Sequence, residues 1–160
     1  MTRILVTGSS GFIGYHLCNF LSKKFEVFGV DNHNNYYSKN LKIKRLNILK
    51  KNKNFNFKKI DLNNKSKLQK IFFDFKPEII FHLAGQPGVL YSFKNPKSYY
   101  KNNVDVTRLL CNLTKKHNVK KFILGSSSSV YGDQEKFPIT ENFNLKPKNP
   151  YAKTKYSSEK

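Results

Sequence analysis

Short apolar runs alternate along the chain with longer stretches in which apolar residues recur every three or four positions. The runs are Ile4 to Val6, Val27 to Val30, Phe55 to Ile60, Ile79 to Leu83 and Phe122 to Leu124, which supplies five strands. After the first run, Phe12, Ile13, His16, Leu17, Phe20 and Leu21 have helical spacing, predicting a helix that ends near Lys23 and Lys24, where cations suit the last carbonyls. Residues 40 to 51 predict a basic helix with Leu41, Arg45 and Ile48 on one side. Residues 64 to 75 begin with an Asn or Ser cap, bring Leu68, Ile71, Phe72 and Phe75 onto one stripe, and stop before Pro77. Pro96 opens a helix to about His117, with Tyr99, Asn103, Val106, Leu110 and Leu113 facing inward. Gly132, Pro138, Pro147 and Pro150 mark 132 to 150 as loop. Strand-helix alternation of this kind predicts an α/β fold, a Rossmann-like doubly wound parallel sheet with helices on both faces.

The first strand leads directly into VTGSSGFIG, with glycines at Gly8, Gly11 and Gly14. A glycine turn between a strand and a helix exposes backbone amides and the positive helix end at the sheet's carboxyl edge, where an anionic pyrophosphate fits. Asp31 ends the second strand, 17 residues after Gly14, placed to accept hydrogen bonds from an adenosine ribose. Its carboxylate repels a 2'-phosphate, and Asn32 and His33 offer no arginine to receive one, so NAD is favoured over NADP. Asp61 after the third strand is either a loop or cap residue or, with Leu62, a neighbour of the adenine.

The Gly-x-x-Gly-x-x-Gly spacing, HLAGQPG at 82 to 88, NNV at 102 to 104, SSSSVYG at 126 to 132 and PYAKTK at 150 to 155 resemble the extended short-chain dehydrogenase/reductase family along the whole chain. Within that family the chain is most similar to nucleotide-sugar 4-epimerases, and VDNHNNYYSKNLKIKRL at 30 to 46 resembles the UDP-glucuronate 4-epimerase branch. The resemblance implies NAD contacts from Gly8, Gly11, Phe12, Ile13, Gly14, Asp31, Asn32, Asp61 and Leu62. It also implies them from Leu83, Ala84, Gly85, Asn102, Tyr151 and Lys155, with Gln86, Ser127, Ser128 and Tyr151 on a UDP-sugar substrate.

Tyr151 and Lys155 stand four apart, so a helix puts them on one face and the ammonium can stabilise a phenolate. Pro150 suits the first helical position, leaving Tyr151 in the first turn, where the macrodipole also favours negative charge. Both effects suit a general base. Ser127 lies just past the fifth strand; four serines in a row could equally make a plain polar turn. The resemblance makes Ser127, Tyr151 and Lys155 the catalytic residues, with Ser128 the fallback for the serine. It implies that Tyr151 takes the proton of the sugar C4 hydroxyl while NAD accepts the C4 hydride. The transient 4-keto sugar turns over and receives the hydride on its other face. Sugar 4,6-dehydratases of the same superfamily carry an Asp-Glu pair where this chain has Ser128 and Ser129, which favours epimerisation. Leu90 stands where glucuronate epimerases commonly carry arginine, so UDP-glucose, UDP-galactose and their N-acetyl forms stay open as substrates.

Composition changes this picture little. A formal charge of +20 raises nucleic acid as a partner, but 27 of the 30 cationic residues are lysines scattered among asparagines, the pattern of a solvated basic surface. Cys18 and Cys111 stand apart from each other and from any Cys or His cluster, so neither a disulfide framework nor a metal site is expected; both are expected reduced on helix faces. No apolar run reaches membrane-spanning length and the N-terminus lacks a signal-peptide layout, so a cytoplasmic protein is expected. The 160 residues suit one NAD-binding domain. Relatives in the family run to about twice this size and would be homodimers, so the chain is expected to stop before the last strand and the C-terminal substrate domain. That leaves three alternatives: an epimerase fragment with little activity alone, a non-catalytic NAD-binding remnant, or a basic nucleic-acid-binding module.

Overall fold

The five apolar runs form one parallel sheet in the computed structural model, which describes residues 1–160. Its strands are β1 (Arg3–Thr7), β2 (Glu26–Asp31), β3 (Phe55–Lys59), β4 (Ile79–His82) and β5 (Lys121–Leu124), in spatial order β3-β2-β1-β4-β5. The chain moves outward through β2 and β3, then crosses back to β4 and β5 on the other side of β1. The order therefore reverses between β1 and β4, the switch point at which doubly wound sheets open a crevice beyond their carboxyl ends. Thr7 pairs with Val30 of β2 and His82 of β4, so the three central strands end at the same level.

By its contacts the chain divides into two compact units, Met1–Ala84 with Leu109–Gly125, and Gly85–Arg108 with Ser126–Lys160. The first holds the sheet. On one face Ile4, Val6, Val27 and Phe55 pack with Cys18 and Leu21 of α1 (Phe12–Leu21) and Leu46 and Leu49 of α2 (Lys39–Leu49). Burial pushes the Cys18 thiol up to about 12, so it behaves as a core side chain. Strand side chains alternate, and Leu5, Phe28 and Ile80 turn to the opposite face. There the Phe28 ring lies 5.1 Å from Phe75 of α3 (Lys65–Phe75). The stripe Leu68, Ile71, Phe72 and Phe75 is buried as its spacing predicts. Asn64 caps α3 by accepting the Lys67 N–H at 3.0 Å, and Lys76 ends it in the left-handed region (φ 50°) just before Pro77.

Two of these helices depart from expectation. α1 ends at Leu21, so Lys23 and Lys24 lie beyond its last turn. In α2 the buried side is Lys42, Leu46 and Leu49, whereas Leu41 and Ile48 face solvent and Arg45 is half-buried. Both triplets have helical spacing, so periodicity alone does not separate them. The buried one is stabilised by Lys42, whose ammonium donates to the Asn34 carbonyl and Oδ1 at 3.0 and 2.8 Å and lies 4.4 Å from the Tyr37 ring centre.

The second unit holds α4 (Val89–Lys94), which hydrophobic spacing does not predict, and α5 (Pro96–Tyr99), which runs into a π-helical stretch over Tyr100–Asp105. α6 (Val106–Lys116) continues from it. The predicted run from Pro96 is thus helical throughout, with a wide turn in its middle, and Tyr99, Asn103, Val106, Leu110 and Leu113 are all buried. A single 3-10 turn at Ser128–Tyr131 precedes a loop without helix or strand, and α7 (Pro150–Glu159) closes the unit. No helix is long and apolar enough to cross a membrane.

The buried side of α2 is open to test. Leu46→Ala is expected to cost about 2–4 kcal/mol in urea unfolding, whereas Ile48→Ala stays within about 0.5 kcal/mol. Equal costs would return the helix to its other face.

Candidate active site

At the carboxyl edge of the sheet Gly8 turns the chain with φ +73°, and the Gly8 and Ser9 amides donate to the Val30 carbonyl at 2.8 and 3.2 Å. A Cβ on Gly8 would lie 2.8 Å from the Ala84 nitrogen, and one on Gly14 only 2.1 Å from the Gly8 carbonyl oxygen. Neither place accepts a side chain. Gly11 caps α1 with no side chain to satisfy the first-turn amides, so those donors face outward from the positive end of the helix. Phe12 and Ile13 in that turn are exposed. Leu83 and Ala84 are held against the turn: Leu83 N–H donates to the Thr7 carbonyl at 3.3 Å and Ala84 N–H to Thr7 Oγ1 at 3.1 Å. Thr7 Oγ1 also lies 2.7 Å from Nδ1 of the buried His82.

Asp31 stands at the end of β2, where its Oδ2 accepts the Ser10 N–H at 3.2 Å and its Oδ1 the His33 N–H at 2.9 Å. A carboxylate offers about four acceptor positions, so each oxygen keeps one for a ligand hydroxyl. Ser10 is held on every side: its Oγ lies 2.8 Å from His33 Nε2, and its carbonyl accepts from Tyr37 OH and Arg45 Nη1, both at 3.4 Å. Hydrophobic spacing singles out none of Ser10, His33, Tyr37 or Arg45 for this work. Beside Asp31 a cavity of about 360 Å³ is lined by Asn32, Asn34, Lys59, Ile60, Asp61, Asn64 and Lys67. Asp61 is both a cavity residue and a turn residue, its Oδ1 accepting from Asn63 N–H at 2.9 Å. Leu62 is buried and is not among the lining residues.

In the second unit Asn103 carries a polar framework. Its Oδ1 accepts the Gln86 N–H at 2.7 Å, and its Nδ2 donates to the Gln86 carbonyl at 3.2 Å and to Thr154 Oγ1 at 3.0 Å. Its own carbonyl accepts from Thr107 Oγ1 and Ser158 Oγ at 2.5 and 3.0 Å. One buried amide thereby joins the Gly85–Gln86 peptide to α7. Asn102 donates to the Ser98 carbonyl and Oγ at 2.9 and 3.2 Å. The π-helical turn falls at these two residues, a feature often found at functional sites. Gln86 is buried and its Nε2 has no hydrogen-bond partner.

Asn149 caps α7 by accepting the Ala152 N–H at 2.8 Å, which leaves Pro150 and Tyr151 in the first turn as predicted. The Tyr99 ring meets the Tyr151 ring edge-on at 6.2 Å, and Tyr99 OH reaches the Pro87 and Gly88 carbonyls at 2.7 and 2.6 Å, so the ring that supports Tyr151 is itself fixed. Lys155 is 7% exposed. Burial holds its ammonium below the usual lysine range, with Glu159 pulling the other way. Glu159 in turn accepts a hydrogen bond from Ser126. Ser127 Oγ accepts the Ser129 N–H at 3.2 Å and lies 3.1 Å from Ser129 Oγ, capping the 3-10 turn, while Ser128 is exposed. A phenol and a buried amine on one helix face, with a serine cap in the same unit, can move a proton at a substrate oxygen.

The parallel sheet with its glycine turn defines a Rossmann-like α/β domain of the short-chain dehydrogenase/reductase type. Within that class the chain belongs to the GDP-mannose 4,6 dehydratase family, whose model matches residues 5–160. It is 43% identical over 161 residues to a UDP-glucuronate 4-epimerase of Thermodesulfobacterium geofontis, covering 99% of this chain and 50% of that one. Among solved structures it resembles the Bacillus cereus UDP-glucuronic acid 4-epimerase in complex with UDP-glucuronic acid and NAD, at 37% identity and a TM-score of 0.90 over 99% of this chain and 50% of that one. The UDP-Glc/GlcNAc 4-epimerase of Campylobacter jejuni aligns with a TM-score of 0.89 at 31% identity, over 99% and 47%. The chain spans about half the length of these relatives.

Two measurements probe the second unit. Asn103→Leu strands the buried Gln86 amide and carbonyl, so a loss of about 2 kcal/mol or more is expected in chemical unfolding. A loss under about 0.5 kcal/mol would mean that the clamp is not formed. Because Lys155 releases its proton in the folded chain before it does so unfolded, its burial costs stability below its lowered pKa, and that cost fades as pH rises toward the ordinary value of 10.5. Lys155→Met is therefore expected to flatten the alkaline rise in stability relative to the unaltered chain; parallel profiles would place the ammonium in water.

Proposed function

We propose that this chain is the cofactor-binding part of an NAD-dependent nucleotide-sugar 4-epimerase of the UDP-glucuronate or UDP-glucose type. The observation that carries the reading is the glycine turn, where Gly8 and Gly14 bring backbone so close that outward-facing amides are left for a diphosphate. The residues present fit NAD: Asp31 keeps acceptor positions for ribose hydroxyls, and the cavity beside it has the size and the mixed polar lining that an adenine needs. Relatives crystallised with NAD and UDP-glucuronic acid support the same assignment.

Bound NAD would supply hydride acceptance and return at the sugar C4. The chain's residues do the rest. Tyr151 removes the proton from the C4 hydroxyl and later gives it back; Lys155, on the same helix face, holds the phenolate by its positive charge; Ser127 orients the sugar oxygen. Gln86 presents its unpartnered Nε2 to the substrate. Ser128 and Ser129 lack the carboxyl groups that elimination would need, which supports epimerisation over dehydration. Leu90 offers no charge for a sugar carboxylate, which keeps UDP-glucose beside UDP-glucuronate as substrate. A chain spanning half of its relatives is expected to turn over little by itself.

Calorimetric titration with NAD tests the reading. Binding is expected at micromolar to millimolar concentration, with Asp31→Ala weakening it by about tenfold through the lost ribose acceptors. Absence of heat at millimolar NAD, or an Asp31→Ala variant that binds as well, would defeat it.

A further inference from the structure

We infer that His33 is a positioning residue for the nucleotide end of the site, tying the glycine turn to the Asp31 carboxylate through Ser10, and that a charge on its ring draws that carboxylate away from a ligand. This rests on the cofactor reading above and adds to it a residue that the strand, the helix and the glycine motif do not need.

Three attachments hold His33. Its backbone is in the left-handed region (φ 51°), which a non-glycine residue adopts only when surrounding contacts impose it. Its N–H donates to Asp31 Oδ1 at 2.9 Å, its Nε2 lies 2.8 Å from Ser10 Oγ, and its ring stacks on Phe57 at 5.3 Å and 26°. Since Ser10 N–H donates to Asp31 Oδ2 at 3.2 Å, the three residues form a closed loop of hydrogen bonds between the second residue of the glycine turn's Ser-Ser pair and the ribose acceptor. Removing the ring leaves Ser10 Oγ without this partner and the left-handed bend with one anchor fewer.

The charged groups facing the ring come from three directions. Asp31 at the end of β2 favours the imidazolium; Lys59 on β3, Lys42 on α2 and Lys50 just beyond α2 oppose it. Burial, the largest of these influences, acts with the lysines against Asp31 and holds the imidazole below the usual histidine range. The neutral ring is therefore the favoured one, and it is lost only as pH falls through a value lower than the ordinary 6.5. A protonated ring can still donate to Ser10 Oγ, but it brings a positive charge into a buried place against Phe57 and attracts the Asp31 carboxylate, competing for the acceptor positions a ribose would use. That competition weakens the hold on an adenosine ribose.

The test is NAD binding to the 160-residue chain by calorimetry at pH 7.5 and pH 5.0, with His33→Gln, whose amide nitrogen can reach Ser10 but cannot titrate, and His33→Asn, which tolerates the left-handed bend but is too short to reach. The unaltered chain is expected to lose about threefold or more in affinity on acidification. His33→Gln should stay within about threefold of it at pH 7.5 and change by less than about twofold with pH; His33→Asn should be weaker at both. An unaltered chain whose affinity ignores pH, or a His33→Gln variant with the same acid loss, overturns the inference and leaves the cofactor reading intact. If NAD does not bind at pH 7.5, the cofactor reading fails, and proton NMR of the ring still judges His33: titration at or above 6.5 removes the neutral clamp.

Discussion

The contact on which the candidate cofactor site depends is between two pieces of main chain. The Gly14 α-carbon lies so near the Gly8 carbonyl that one added methyl would stand 2.1 Å from its oxygen. That approach fixes where α1 starts relative to the end of β1, and so fixes where its unpaired amides face. Gly8 itself is pinned by the Val30 carbonyl behind it and by the Ala84 peptide beside it. Other candidate groups of this unit are placed by reference to that junction: Asp31 through Ser10, Leu83 and Ala84 through Thr7. A change in the sheet's interior alters stability, but a side chain at the junction would move the site.

The elements that hydrophobic spacing predicts best are those whose spacing has a single solution. Leu68, Ile71, Phe72 and Phe75 admit one buried stripe, and α3 buries it; the five strands follow from five apolar runs. Where two stripes were available, as in α2, a polar choice decided: the Lys42 ammonium finds Asn34 and the Tyr37 face, which no count of apolar residues anticipates. α4 escaped notice because Val89–Lys94 is a six-residue helix on which only Ser92 is buried, too short and too exposed for periodicity.

The same division holds at the site. The places of Gly8, Gly11, Gly14, Asp31, Tyr151 and Lys155 are legible because they follow from backbone freedom, from strand ends and from spacing along one element. Asn103 and His33 are not, because their work is done on residues 17 and 23 positions away, at Gln86 and Ser10. A buried asparagine among apolar helix residues reads as an inward position and nothing more until its partners are seen. The neighbouring Asn102, which the resemblance implies for the cofactor, donates to Ser98. The π-helical turn adds a second obscurity, since spacing rules assume an unbroken α-helix over 100–105.

The side chain of Gln86 has a consequence of its own. Its backbone is gripped from both sides by one carboxamide, and its Nε2 lies out of water with nothing to donate to. Dehydrating that nitrogen is therefore a penalty already borne in reaching the folded state. On the proposed reading, an incoming oxygen that met it would gain attraction without stripping solvent from the protein side. Selectivity at that point would then be prepared before any guest arrives, in the manner of a preorganised host.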